Sequence, residues 1–344
     1  MTTVIALVAV FGILVSVHEL GHYLVAKLMG MRVNEFSLGF GPALFSPQWG
    51  ETKYSLRIIP LGGYVRIAGM EMDKTNDPDA FPNRPLWQRF SVILAGPVMN
   101  LALAAILYIL AFGPIGTPTI TTTVASTVPH YPAYTAGIRA GDKIVAVDRR
   151  AIGNWTELQK AIVSHAHQPL AITIERHGLK KTVTVHTRYD KQLKEYIVGI
   201  EPQVAMIHLG FFASIRSGVD YTVRLTGRWF VAMYHLVIGK SRFDLTGPVG
   251  IAVYVSQAAQ DGLPYLVLLA AALSANLGLF NVLPIPVLDG SRLFLLGLEG
   301  VRRKAMDPDR ENMIHMVGFV VLMLFVLLVT YHDIVHFFHV GAPF

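Results

Sequence analysis

The residues best suited to chemistry stand near the start of the chain, in VSVHELGHYLVAK, where His18, Glu19 and His22 follow an apolar run that begins at Val4. Histidines four apart share one face of a helix, so both imidazoles can reach one metal ion, and a glutamate beside the first can hold a water there. This is the HExxH arrangement of zinc peptidases. The same residues could instead cap the carbonyls of a helix end or mark a water interface. Depth favours chemistry. The site comes after about 21 Å of apolar helical rise, and ionisable residues at membrane depth are costly to keep without a function.

The elements that position such a site belong to a membrane protein. With 344 residues, 53% hydrophobic and only 15% charged, the chain is too apolar for an ordinary soluble protein. The net charge of +6 is not gathered into a basic patch interleaved with aromatics, which excludes nucleic acid as a partner. The absence of cysteine excludes disulfides and thiolate metal sites, leaving His, Asp and Glu as strong zinc ligands. The opening MTTVIALVAVFG lacks the basic n-region and cleavage site of a signal peptide and is read as a mature transmembrane helix.

Residues 32–69 alternate as strand-like runs, NEFSLGFG and KYSLRIIPLGGYVRIAG, with a turn-rich stretch from Pro47 to Glu51 between them. Eight Lys or Arg between Lys27 and Arg89 place this segment on the cytoplasmic side. Phe90 to Phe112 is a second span, with Gly96, Pro97 and Asn100 near its cytoplasmic end; Asn100 either bonds a neighbouring helix or acts at the site. Residues 113–262 show no convincing span and are expected outside the cytoplasm. Their first half reads as strand, helix, strand, strand. Beyond it, Phe212 to Val237 is amphipathic, with Arg216, Asp220, Arg224 and Arg228 on one face. Trp229 and Tyr234 favour a position on the membrane surface over packing on the preceding domain.

Leu263 to Leu283 is a third span, holding Asn276 and Asn281 and running into NVLPIPVLDGSRL. Pro284 and Pro286 stop the helix, and unwound backbone at this depth suggests a site. Arg292, Arg302, Arg303, Lys304 and Arg310 make 286–312 cytoplasmic, and Met313 to Tyr331 is the fourth span, leaving both termini outside. The tail HDIVHFFHVGAPF reads as an interfacial anchor. A catalytic zinc needs a third protein ligand. Asp289 is the best candidate because it approaches the same end of its segment as His22. Glu35, Glu71 and His315 are rivals.

HELGH on the first helix, GPVMN at 96–100 and NVLPIPVLDG at 281–290 resemble the site-2 protease family of intramembrane zinc metalloproteases, in its bacterial regulator-of-sigma-E protease branch. PAYTAGIRAGDKIVAVD resembles part of a PDZ domain. The resemblance implies a polytopic α-helical membrane protein: four transmembrane helices, a membrane-associated β-hairpin region and one inserted α+β PDZ domain. Its parts are a membrane core at 1–112, the PDZ domain at 113–200, an amphipathic connection at 201–262 and a second membrane core at 263–344.

The resemblance further implies Zn2+ held by His18, His22 and Asp289, Glu19 as general base and acid, and Asn281 holding a substrate strand. Asn276, Asn100, Gly62 and Gly63 join it as candidate substrate contacts. It implies cleavage of single-pass transmembrane proteins, such as clipped anti-sigma factors or leftover signal peptides, in a bacterial inner membrane, with the PDZ domain outside as a size filter. Two departures stand out: one PDZ domain where the proteobacterial branch carries two, and LDGSR in place of LDGGH. A non-catalytic scaffold binding membrane partners through the PDZ domain is the alternative, and intact Glu19 argues against it. A third reading is a membrane peptidase with a glutamate as third ligand and a soluble substrate.

Overall fold

A computed structural model describes residues 2–70, 77–166, 168–190, 194–240, 246–304 and 307–339. Four helical stretches among them are long and apolar enough to cross a bilayer: Thr3–Leu28, Leu86–Ile115, Leu263–Val282 and Met313–Val335. The chain separates into two units, one made of Met1–Ile115 with Leu209–Phe344, the other of Gly116–His208.

Helix α1 spans Thr2–Leu28 and is followed by strands β1 (Val33–Phe45), β2 (Gln48–Trp49) and β3 (Thr52–Ile67). The strands form a sheet more closed than a hairpin. Ser37 of β1 stands opposite Ser55 in the first arm of β3 and opposite Tyr64 in the second, which runs antiparallel from Gly63 at Leu38 to Ile67 at Val33. The turn that allows this return holds Pro60 and Gly62, and Gly62 takes a φ of 127°, open to glycine alone. Glu35, on β1, is the sheet's internal counter-ion: Ser55 Oγ donates to it at 2.6 Å and the Arg57 guanidinium at 2.8 Å. Beyond this core the strands expose Phe40, Leu44, Phe45 and Trp49.

Helix α2 (Leu86–Leu110) crosses α1 closely, because a Cβ at Gly21 would come within 2.5 Å of the Ala95 carbonyl oxygen. Small residues allow such approach where apolar burial cannot drive helices together.

The inserted unit is built on a six-stranded sheet. Strand β4 (Thr117–Thr127) leads to a short helix α3 (Pro132–Thr135), then β5 (Lys143–Val147), β6 (Arg150–Ala151) and helix α4 (Trp155–Ser164). The strands β7 (Pro169–Arg176), β8 (Leu179–His186), β9 (Arg188–Asp190), β10 (Glu195–Ile197) and β11 (Ile200–Ile207) complete it. Sheet order is β11-β4-β5-β7-β8, with β6 on β5, and β9 pairs with β10 apart from it. Asn154 caps α4 by accepting the Glu157 N–H at 2.9 Å. Ile144, Leu158, Leu170, Ile172 and Ile174 are buried together as the core. Below it, the fully buried Asp142 takes two bonds from Arg176, at 2.6 and 2.8 Å, and one from the Arg139 N–H. Burial alone would raise that carboxyl, yet these bonds hold it below the usual carboxylate range.

Helix α5 (Phe211–Val237) returns to the first unit and packs lengthwise on α2, with Ser214 at Gly113, Gly218 at Ile109 and Tyr221 against Tyr108 and Phe112. Trp229 meets Phe280 further along. The amphipathic pattern therefore has a third face, of small residues spaced four apart, that docks on the membrane core. Helix α6 (Pro248–Asp261) starts with its Gly247 and Gly250 N–H groups on the buried Asp333 carboxylate, at 3.1 and 2.8 Å. Helices α7 (Leu263–Val282), α8 (Asp289–Arg302) and α9 (Pro308–His339) complete the chain. Much of 286–312, expected on the cytoplasmic side, is thus helical. Arg89 of α2 grips Glu299 of α8 through both guanidinium nitrogens, at 3.1 and 2.5 Å, a geometry stronger than a single contact.

Candidate metal centre

Helix α1 is unbroken through HELGH, so His18 and His22 stand one turn apart on one face, their Nε2 atoms separated by 3.3 Å. The third group arrives from the far end of the chain. Pro284 and Pro286 end α7, and Val287 takes a φ of 81°, an outlier for a β-branched residue that its neighbours must hold in place. The Val287 N–H donates to His315 Nδ1 at 3.3 Å, and Pro286 is pressed on Gly318 of α9. Asp289, in the first turn of α8, then sets Oδ2 at 3.0 Å from His18 Nε2 and 3.2 Å from His22 Nε2.

Bonds of about 2.0–2.1 Å at tetrahedral angles put neighbouring zinc ligands about 3.3 Å apart. The three separations found here agree with that edge length, and among the described residues the buried Oδ2 has no well-aligned hydrogen bond to close the gap. A cation fits the donor set. Burial would raise the Asp289 carboxyl, but the two imidazoles more than offset it and keep it below the usual carboxylate range.

Glu19 stands beside this cluster, near the main chain of Val65 in the second arm of β3. Gly63 runs alongside, and a Cβ there would lie 3.7 Å from Glu19 Cγ and 2.5 Å from the Ser37 carbonyl. Behind the ligands, Gly96 of α2 lies so close that a Cβ would overlap both imidazoles. His22 Nδ1 is 2.8 Å from the Val92 carbonyl, and Asn100 faces His18 Nδ1 at 3.1 Å.

Among the candidates from sequence, His18, His22, Asp289 and Glu19 come together, with Gly63 and Asn100 adjoining them. Gly62 backs onto Phe40. Asn281 is buried in the last turn of α7 and Asn276 is half-buried, and neither bonds the cluster among the described residues. Five positions apart, they sit about 140° apart around the helix. Of the rival ligands, Glu35 is held by Arg57, His315 by Val287, and Glu71 lies outside the described residues. Sequence reasoning missed Val92, which acts through a main-chain atom and carries no side-chain signal. It missed the Arg89–Glu299 clamp as well, whose partners are 210 positions apart.

The sequence profile of peptidase family M50 matches residues 6–325. This chain belongs to that family. The M50 peptidase is 36% identical over 334 residues to a putative zinc metalloprotease of Clostridium acetobutylicum, covering 97% of each chain. It is 32% identical over 415 aligned positions to the zinc metalloprotease RasP of Geobacillus kaustophilus, covering 98% of each. With the regulator of sigma-W protease RasP of Bacillus subtilis it shares 28% identity over 98% of this chain and 99% of the relative. The M50 peptidase is a zinc metalloprotease, and with four membrane-length apolar helices it is a membrane protein.

Proposed function

We propose that this M50 peptidase hydrolyses peptide bonds inside the membrane-spanning segments of single-pass membrane proteins, with zinc held by His18, His22 and Asp289 and Glu19 as general base and acid. One observation carries the reading: three ligand atoms within 4.8 Å of one another hang partly from an apolar, membrane-length helix. His18 lies about 22 Å of helical rise from Thr3. A soluble peptide would have little reason to meet a site at that depth.

Bound zinc would supply Lewis acidity, polarising the scissile carbonyl and acidifying a water. The chain supplies the rest. Glu19, beside the second arm of β3, takes the water proton and returns it to the leaving amine. A substrate helix hides its carbonyls in internal hydrogen bonds, so it must unwind before attack. The second arm of β3 offers main-chain groups beside Glu19 that can pair with the unwound strand by β-augmentation. Clipped anti-sigma factors and leftover signal peptides have the required single span.

The inserted unit, Gly116–His208, is proposed to be a PDZ domain on the extracytoplasmic side that restricts which substrates approach. Its strand, helix and strand order after the PAYTAGIRAGDKIVAVD stretch supports this. The basic segments at 27–89 and 286–312 support an inner-membrane orientation with those segments in the cytoplasm.

The decisive experiment reconstitutes the protein in liposomes with a single-pass substrate and maps the products by mass. Cleavage within the span by wild type, absent with Glu19→Gln, is the expected result. Cleavage only in soluble flanking segments would overturn the intramembrane reading, and no zinc-dependent cleavage of any membrane substrate would favour a scaffold.

A further inference from the structure

The two imidazoles differ in what stands behind them. His22 Nδ1 faces the Val92 carbonyl at 2.8 Å, and a carbonyl can only accept. That ring therefore carries its proton on Nδ1 and leaves Nε2 with a lone pair directed at the cluster. His18 Nδ1 faces an amide, which can donate or accept. In the arrangement described, Asn100 Nδ2 is the end at 3.1 Å, while Asn100 Oδ1 is buried without a partner among the described residues and the residue is wholly shielded from solvent.

The two ends of an amide have the same shape, so hydrogen-bond chemistry decides which one faces the ring. If Nδ2 donated to Nδ1, the proton of a neutral His18 would sit on Nε2, the atom 3.0 Å from Asp289 Oδ2, and that atom could not bind a metal. Turning the amide half a revolution brings the orphaned Oδ1 onto Nδ1–H. We infer that Asn100 is the positioning residue for His18: its Oδ1 accepts the Nδ1 proton, fixes the tautomer and aims the Nε2 lone pair at the metal.

The surroundings suit this task. Asn100 lies four residues beyond Gly96, on the same face of α2, so one face of one helix backs the rings with a glycine and then supplies the acceptor. The Asn100 carbonyl takes the Ser274 hydroxyl at 2.8 Å, tying the residue to α7, and Gly278 leaves room for its Cβ. Supporting bonds to ligating imidazoles commonly change metal affinity by about 10–100-fold when removed.

The inference rests on His18 ligating through Nε2, and the test separates the two. Zinc affinity of the purified full chain is measured by chelator competition for wild type, Asn100→Asp and Asn100→Leu. Asp keeps an acceptor and should bind zinc as tightly as wild type or more so. Leu keeps the volume without the acceptor and should bind about 10–100-fold more weakly. Equal weakening by Asp and Leu in folded, monodisperse protein would mean the amide donates, and the inference fails. So it does if Leu binds like wild type. Should either variant misfold, nitrogen NMR of zinc-loaded wild type labelled at histidine decides. Protonated Nδ1 on His18 supports the assignment, and bare Nδ1 overturns it. A wild type that binds no zinc through His18 sinks the ligand reading itself.

Discussion

Glu19→Gln keeps shape but cannot take a proton, so it should retain zinc and lose activity by at least about 100-fold. Metal content and cleavage measured on the same sample check this, and retained turnover would remove Glu19 from the role of base. Gly96→Ala pushes a methyl into both imidazoles. Overpacking of this kind costs about 1–3 kcal/mol, and here the strain falls on the ligands, so zinc should dissociate faster than from wild type in a chelator chase. At this scale the sequence was most informative where chemistry and periodicity coincide. His18 and His22 were legible because a helix fixes their relation. Asp289 was only a best candidate by topology, since its approach depends on how α8 docks. The job of Asn100 was open between a helix contact and the site, because a side chain that acts behind a ligand leaves no pattern of its own.

Among elements, α8 carries the proposed third ligand and is clamped to α2 by Arg89 and Glu299, whose side chains are only 13% and 19% exposed. Glu299→Gln leaves the guanidinium without its counter-charge and should destabilise by about 2–3 kcal/mol, somewhat less than a fully buried pair. The melting temperature should fall and zinc should be lost more readily. Replacing both with Met should recover much of the stability, because apolar groups need no counter-charge. A double replacement no better than the single would show the pair contributes more than charge balance. The helix α8 and the doubled contact of β3 with β1 were not legible. Pro284 and Pro286 announce a break but carry no signal for the helix beyond it, and strand pairing across a return turn depends on φ at Gly62, which spacing does not report.

In the whole molecule, His18, Glu19, His22 and Asp289 all belong to the unit that excludes Gly116–His208. Replacing 118–190 by a short linker should leave zinc bound and widen the range of membrane substrates cut. A folded, zinc-loaded deletion that cleaves nothing, even short-stubbed substrates, would instead make the insert a positioning device. The insert also carries its own acid sensitivity. The folded Asp142 carboxyl is depressed, so its stabilisation is complete above the unfolded value of about 3.9 and is lost as pH falls through the folded value. Protease protection of 116–208 in the full chain should therefore drop on acidification below about pH 4. Asp142→Asn should lower protection at neutral pH and flatten that response. Single cysteines labelled from one side, easily read in a chain with no cysteine, check the orientation. The insert's strands were readable one at a time from β5 to β8, but β4 beside β11 was not, because that pairing joins the two ends of the unit.

The centre draws His18 and His22 from the first helix and Asp289 from the eighth. During synthesis at about 5–20 residues per second, the roughly 270 residues between them take some 15–50 s to appear. A nascent chain with its first helix already in the bilayer therefore holds the proposed base and two imidazoles but not the proposed third ligand. On the proposed ligand set, hydrolytic competence waits until Asp289 has been made, and truncated products of interrupted translation should be born harmless to the membrane that receives them.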